Sequence, residues 1–135
     1  DAWKTVKINV KIKTDYPLCS LFYPYPGTVL GEYAQARGFI EKDSQLDEPS
    51  FFRKSFISSP VKRELENLQK LFFFVVKFPW LTPLIKKLIK MKRNIIFDLA
   101  FLISYTWCFA RSENLKINEL FTLGGRNLRN FFFGD

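Results

Sequence analysis

The side chains in this sequence that could do chemistry are few. Two cysteines, Cys19 and Cys108, stand far apart, and histidine is absent. Without imidazole there is no near-neutral general base, and the commonest metal ligand is missing. Ser/His/Asp and Cys/His nucleophile systems are therefore excluded. Two distant thiols build neither a disulfide framework nor a zinc site; they read as buried core thiols and suit a reducing cytoplasm. Asp43, Asp47 and Glu48 could be offered as an acid–base set. They lie in a polar stretch with no sign of the burial that tunes a catalytic carboxylate, so they read as solvated loop charges. Gly124-Gly125 has neither the spacing nor the following lysine of a phosphate loop.

What the chain offers instead is a distinctive turn. Leu21, Phe22 and Tyr23 form an apolar run between turn signals, the pattern of a strand buried on both faces. Pro24 and Pro26 cannot donate to a sheet ladder and must end it. Gly27 gives a tight turn its freedom, and Thr28 is a good N-cap for a helix from Val29 to about Arg37. Gly38 stands where a left-handed C-cap belongs. The expected unit is strand, rigid turn, helix.

The stretch Phe22-Tyr23-Pro24-Tyr25-Pro26-Gly27-Thr28, with Leu30, Tyr33, Ala34 and Gly38-Phe39-Ile40 behind it, resembles a late strand-to-helix segment of the cobalamin-binding branch of the radical SAM superfamily. The similarity runs from about Thr5 to Phe78 and becomes looser, mostly compositional, beyond that. The resemblance implies a mostly α chain with one or two strands: the C-terminal strand-turn-helix of a partial (β/α) barrel, followed by a helical extension. Residues 1–40 would be the terminal part of the barrel, 41–59 an irregular loop and 60–135 the extension. Barrel enzymes place their chemistry at the C-terminal ends of the strands. Tyr23, Pro24, Tyr25, Pro26, Gly27 and Thr28 would accordingly border the cofactor side.

Relatives of that kind hold a [4Fe-4S] cluster on three cysteines in a Cys-x-x-x-Cys-x-x-Cys loop, which leaves one iron open to SAM, and they use cobalamin as well. Two cysteines cannot supply three thiolates. The resemblance thus implies a C-terminal fragment that binds none of these cofactors alone, is not catalytic alone, and has the missing N-terminal part of the parent enzyme as its partner. A first residue of Asp1 rather than methionine suits a piece of a longer protein. No signal peptide is read at the start, and the expected location is cytoplasmic, with association to a membrane.

The elements that must position these residues follow from pattern. From Thr5 to Lys13, Val6, Ile8, Val10 and Ile12 alternate as in a half-buried strand, whereas the resemblance places a helix there with Trp3, Val6 and Val10 on one side. Both readings stand at this point. Asp15-Tyr16-Pro17 marks a loop, and Phe39 to Ser59 reads as a long irregular segment. Ser59-Pro60 is a helix start. Val61, Leu65, Leu68, Phe72, Val75 and Val76 then recur at helical steps, with Glu64, Glu66 and Lys70 opposite, as far as about Lys77. Pro79 ends that helix. Thr82-Pro83 starts a short one, Leu84 to Met91, and Asn94 caps another, Ile95 to about Ala110. This last is apolar nearly all round, carries Asp98, and is expected to be a buried central helix, with a membrane-embedded or re-entrant segment as the rival reading. Leu115 to Phe133 reads as a final helix.

Net charge is +8, and most of it falls between Val61 and Arg93, where nine basic residues stand against two acidic ones. Phosphate is the natural counterpart of such a cluster. Lys86, Lys87 and Lys90 lie on one face of the short helix and Leu84, Ile85, Leu88 and Ile89 on the other. With Trp80 before it and Lys92-Arg93 after it, this is the pattern of an interfacial helix on an anionic membrane. The alternative function is thus a basic amphipathic module on a membrane surface; an ordinary amphipathic helix on a core gives the same pattern. Nucleic acid is disfavoured, because the apolar residues keep helical spacing and no base-stacking motif accompanies the lysines. Aromatic residues make up 18% of the chain, more than one small core buries readily. The surplus fits a surface that faces something else, as it fits compositional bias.

Overall fold

A helix of sixteen residues, α3 (Lys62–Lys77), runs through the middle of the molecule, and four other elements are laid against it. The structure, a computed structural model, describes residues 1–40, 55 and 57–115. In chain order the elements are α1 (Ala2–Lys11), α2 (Val29–Ala36), α3, a 3-10 turn (Pro79–Leu81), α4 (Thr82–Leu88) and α5 (Ile95–Ser112). α1 and α5 pack on α3, and the 3-10 turn and α4 fold back onto it. The common core is Val6 of α1, Leu68, Leu71, Phe72, Val75 and Val76 of α3, Ile85 and Ile89 of the α4 region, and Phe97 of α5.

The boundaries have local causes. Asn94 Oδ1 accepts the Phe97 N–H at 3.1 Å, so α5 starts on a side-chain cap. Ser59-Pro60 does not open α3 directly. The Lys62 N–H donates to the Ser59 carbonyl, making a turn that delays the helix to Lys62. Lys77 is its last residue, and Pro79 begins the 3-10 turn that follows. α4 stops at Leu88 rather than Met91. The carbonyls freed there, those of Ile89 and Met91, accept hydrogen bonds from Asn67 Nδ2 of α3, both at 2.9 Å.

At Thr5–Lys13 the two sequence readings resolve to helix. Val6 is buried and Trp3 and Val10 pack beside it, while Ile8 and Ile12 of the alternating set are exposed.

The strand-and-barrel expectation is overturned. Helix accounts for 62% of the described residues, and among them there is no strand, no sheet and no barrel. Leu21, Phe22 and Tyr23 lie outside the helices and join no ladder. The only pairing of β type there is an isolated antiparallel bridge between Ile40 and Ile57. An apolar run becomes a strand only where another strand meets it. Here the segment is instead anchored by buried Pro17, Tyr23 and Pro24, and by Gln69, whose Nε2 donates to the Cys19 carbonyl at 3.4 Å.

Two helix expectations also change. α5 is not the buried central helix: Phe97, Asp98, Phe101, Ser104 and Cys108 face inward, but Ile95, Ile96, Leu99, Ile103 and Trp107 are exposed. Among the described helices it alone is long and apolar enough to cross a membrane. Its 18 residues give about 27 Å at 1.5 Å each, and the inward side is committed to α3. The centre belongs to α3, which buries six consecutive residues from Asn67 to Phe72, its whole circumference. Lys70, expected on the solvent side, is 1% exposed and bonds Asp98 of α5. Arg93 reaches the same carboxylate at 3.4 Å. The Leu115–Phe133 helix, and Asp43, Asp47 and Glu48, lie outside the described residues or, for Leu115, at their edge.

The Lys70–Asp98 pair defines a stability test. Asp98→Ala leaves a buried cation with only water-poor surroundings, and the expected loss in urea denaturation is ~3–5 kcal/mol. Replacing both groups, Lys70→Met with Asp98→Leu, should recover most of that loss. A single-variant loss below about 1 kcal/mol, the range of exposed pairs, would contradict a desolvated pair.

Candidate functional site

The turn from Tyr23 to Thr28 is built from its own atoms. The Tyr25 N–H donates to the Tyr23 carbonyl at 3.0 Å, and the Thr28 N–H donates to the Tyr25 carbonyl at 3.3 Å. Thr28 Oγ1 donates to that same carbonyl at 2.7 Å and accepts the Gly31 N–H at 3.1 Å, so one hydroxyl both closes the turn and caps α2. Gly27 takes φ +75°, as the tight turn requires. Gly31 has no space for a side chain: a Cβ there would collide with the Tyr25 carbonyl oxygen. At the far end of α2, Gly38 takes φ +67°, the Phe39 N–H donates to the Ala34 carbonyl, and the Gly38 N–H to that of Gln35, a complete Schellman cap.

Of the six turn residues, Tyr23 and Pro24 are buried, and Tyr25, Pro26, Gly27 and Thr28 face solvent. The Tyr23 and Tyr25 rings meet edge to face, with centroids 4.6 Å apart. None of the six carries a charge or a thiol, and the Thr28 hydroxyl is already engaged. The turn is therefore held by its own hydrogen bonds and presents aromatic surface. Around it the apolar side chains point outward. Val29 is 87% exposed, and Phe22, Leu30, Tyr33 and Phe39 are exposed as well. α2 buries only Gly31 and Ala34.

Cys19 lies before the turn and Cys108 on α5. Both are free thiols. Burial pushes the Cys19 thiol up to about 12 from its ordinary 9.0, and burial raises Cys108 too, partly countered by the nearby Lys77 cation. A [4Fe-4S] cluster needs three or four thiolates, and the sequence holds two cysteines. Among the described residues no group of three potential metal ligands exists.

The second candidate is the basic edge formed by the 3-10 turn, α4 and the segment to Arg93. Trp80 is 75% exposed; Leu84 and Met91, and the lysines Lys86, Lys87, Lys90 and Lys92, are also on the surface. Arg93 belongs elsewhere, since its guanidinium serves Asp98. Sequence reasoning missed two members of this edge. Lys86 Nζ lies 5.3 Å above the ring of Trp3, which brings α1 alongside α4. Lys7, one turn on from Trp3, is exposed on α1. No local signal joins residues 3 and 86; the fold does. The Asp98 cluster was missed as well, although one carboxylate in an otherwise apolar helix needs a cation and could have pointed to it.

Compared with protein-family models, with curated proteins and with solved structures, the chain matches none.

Two measurements probe the turn and the thiols. Gly31→Ala should cost ~1–3 kcal/mol, the range for overpacking, and Gly38→Ala, at positive φ, about 1–2 kcal/mol. A neutral Gly31→Ala would disprove the close approach. Alkylation of Cys19 at pH 8 should be far slower in the folded chain than after denaturation, because only the thiolate reacts. Since the unfolded thiol ionises near 9.0 and the folded one near about 12, its contribution to stability is complete below pH 9 and falls as pH rises between those values.

Proposed function

We propose that this chain is the C-terminal, non-catalytic segment of a cobalamin-binding radical SAM protein. The observation that supports the reading is the Pro24-x-Pro26-Gly27-Thr28 unit: its internal hydrogen bonds and the closely approached Gly31 account for the residue types of the motif. The exposed apolar surface beside it, Val29, Leu30 and Tyr33 on α2 with Phe22 and Phe39, suits a face that packs against further polypeptide of the parent. The reading does not require a sheet within this chain.

In such a parent the cluster, SAM and cobalamin supply the radical chemistry, and this segment contributes none of the cluster's ligands. Its own residues hold a turn rigid and present aromatic surface. The transcript upstream of the Asp1 codon tests the kinship. The frame is expected to continue through a Cys-x-x-x-Cys-x-x-Cys triplet; a stop codon directly upstream, with no such triplet before it, would defeat the reading. Anaerobic reconstitution of the chain alone with iron, sulfide and SAM should give no cluster absorbance and no SAM cleavage. Both appearing together would show that the chain is catalytic by itself.

A further inference from the structure

The charge that the core does not use is concentrated on one edge. Between Glu66 and Asp98 there is no acidic residue. Of the two carboxylates that bound this stretch, Glu66 accepts the Ser55 N–H at 2.9 Å and Asp98 is held by Lys70 and Arg93. Lys86, Lys87, Lys90 and Lys92 therefore have no carboxylate within their own stretch to offset them. The neighbouring helix adds Lys7 rather than an acid; the acid just before α1, Asp1, is paired with Lys4 at 3.0 Å.

The same edge exposes Trp80, Leu84 and Met91. Aliphatic and indole surface set among lysines has a use at the headgroup boundary of a bilayer, where the apolar groups enter the acyl region and the ammonium groups stay with the phosphates. Against a nucleic-acid backbone, Leu84 and Met91 would have none. From these observations we infer that the edge formed by Trp80, α4 and Lys92, extended by Trp3 and Lys7 of α1, docks on a membrane surface rich in anionic phospholipid. The inference stands apart from the kinship with radical SAM proteins, because it uses none of the turn residues.

The binding is peripheral. α4 has seven residues, and Ile85 and Ile89 on its inner side are already in the core, so only one flank is free to enter the interface. Lysines near an anionic surface contribute about fivefold each to partitioning, and the effect is screened within a Debye length of about 8 Å at physiological salt.

The experiment is co-sedimentation of the full chain with phosphatidylcholine vesicles, with and without phosphatidylserine, over a salt series. The expected result is binding to the phosphatidylserine vesicles only, weakening as salt rises. Lys86→Gln, Lys87→Gln and Lys90→Gln should each lower partitioning about fivefold; these side chains are exposed, and circular dichroism checks that the helices persist. In a chain with Trp80 as its sole tryptophan (Trp3→Phe, Trp107→Phe), acyl-brominated lipid should quench the indole. Absence of binding, binding indifferent to phosphatidylserine or to the lysine changes, or a Trp80 left unquenched while the chain is bound would each overturn the proposal. So would lysine-dependent binding to single-stranded RNA with no binding to vesicles, which would make the edge a nucleic-acid surface. None of these outcomes bears on the upstream reading frame.

Discussion

The arrangement depends on polar side chains inside α3. A helix that buries one stripe can be held by apolar contact alone. α3 buries its whole circumference over one stretch, and there the stretch contains Asn67, Gln69 and Lys70 as well as Leu68, Leu71 and Phe72. Each polar group reaches a different neighbour: Asn67 the freed carbonyls beyond α4, Gln69 the backbone at Cys19, Lys70 the carboxylate of α5. Apolar packing is non-directional and would tolerate sliding of these elements along α3. A buried amide or ammonium group tolerates no such slip, because a lost partner costs about 1–3 kcal/mol for a neutral group and more for a charge. Core register is thus set by hydrogen bonds, and core adhesion by Val75, Val76 and Phe72 with their neighbours.

That division explains what could be read in advance. Helix ends were legible because their signals are local: Asn94 before α5, Thr28 before α2, Gly38 after it, Pro79 after α3. Helical faces were legible where apolar spacing was unmixed. They failed where a polar residue belonged inside. A lysine between apolar positions is ordinarily a solvent-side group, and only the lone carboxylate in α5 could have signalled that Lys70 had somewhere else to go. In α1 both periods are present in one sequence, Val6–Val10 at helical spacing and Val6–Ile8–Val10–Ile12 at strand spacing. The exposed lysines at 4, 7 and 11 lie on the outer face of the helix that forms. The strand at Leu21–Tyr23 was misread for a different reason. An apolar run can be read from sequence, but a ladder requires a second chain segment, and no property of Leu21, Phe22 or Tyr23 supplies one.

The candidate sites divide in the same way. The turn and the cap of α2 follow the residue types of the motif, while the double use of the Thr28 hydroxyl, to the Tyr25 carbonyl and from the Gly31 N–H, is something a motif cannot reveal. For the basic edge, the α4 lysines and Trp80 are on the surface as their spacing predicts, while Arg93 is diverted to Asp98 and Trp3 arrives from far upstream. Residues contributed by tertiary contact have no signature in the local pattern.

Two exposed apolar surfaces remain, and they differ in what surrounds them. Beside the turn, Val29, Leu30 and Tyr33 lie on a helix with a single carboxylate, Glu32, and no lysine, and Arg37 stacks on Tyr33 with its guanidinium 5.3 Å from the ring centroid. Burial of such a surface against another protein face costs little desolvation of charge. At the α4 edge, Leu84 and Met91 cannot be covered by an ordinary protein face without also covering Lys87 or its neighbours, and an ammonium group buried without a partner is prohibitive. A surface that accepts the apolar groups while leaving the ammonium groups hydrated and paired with phosphate avoids that penalty. The two surfaces thus differ in where the charges are, although their apolar side chains are alike.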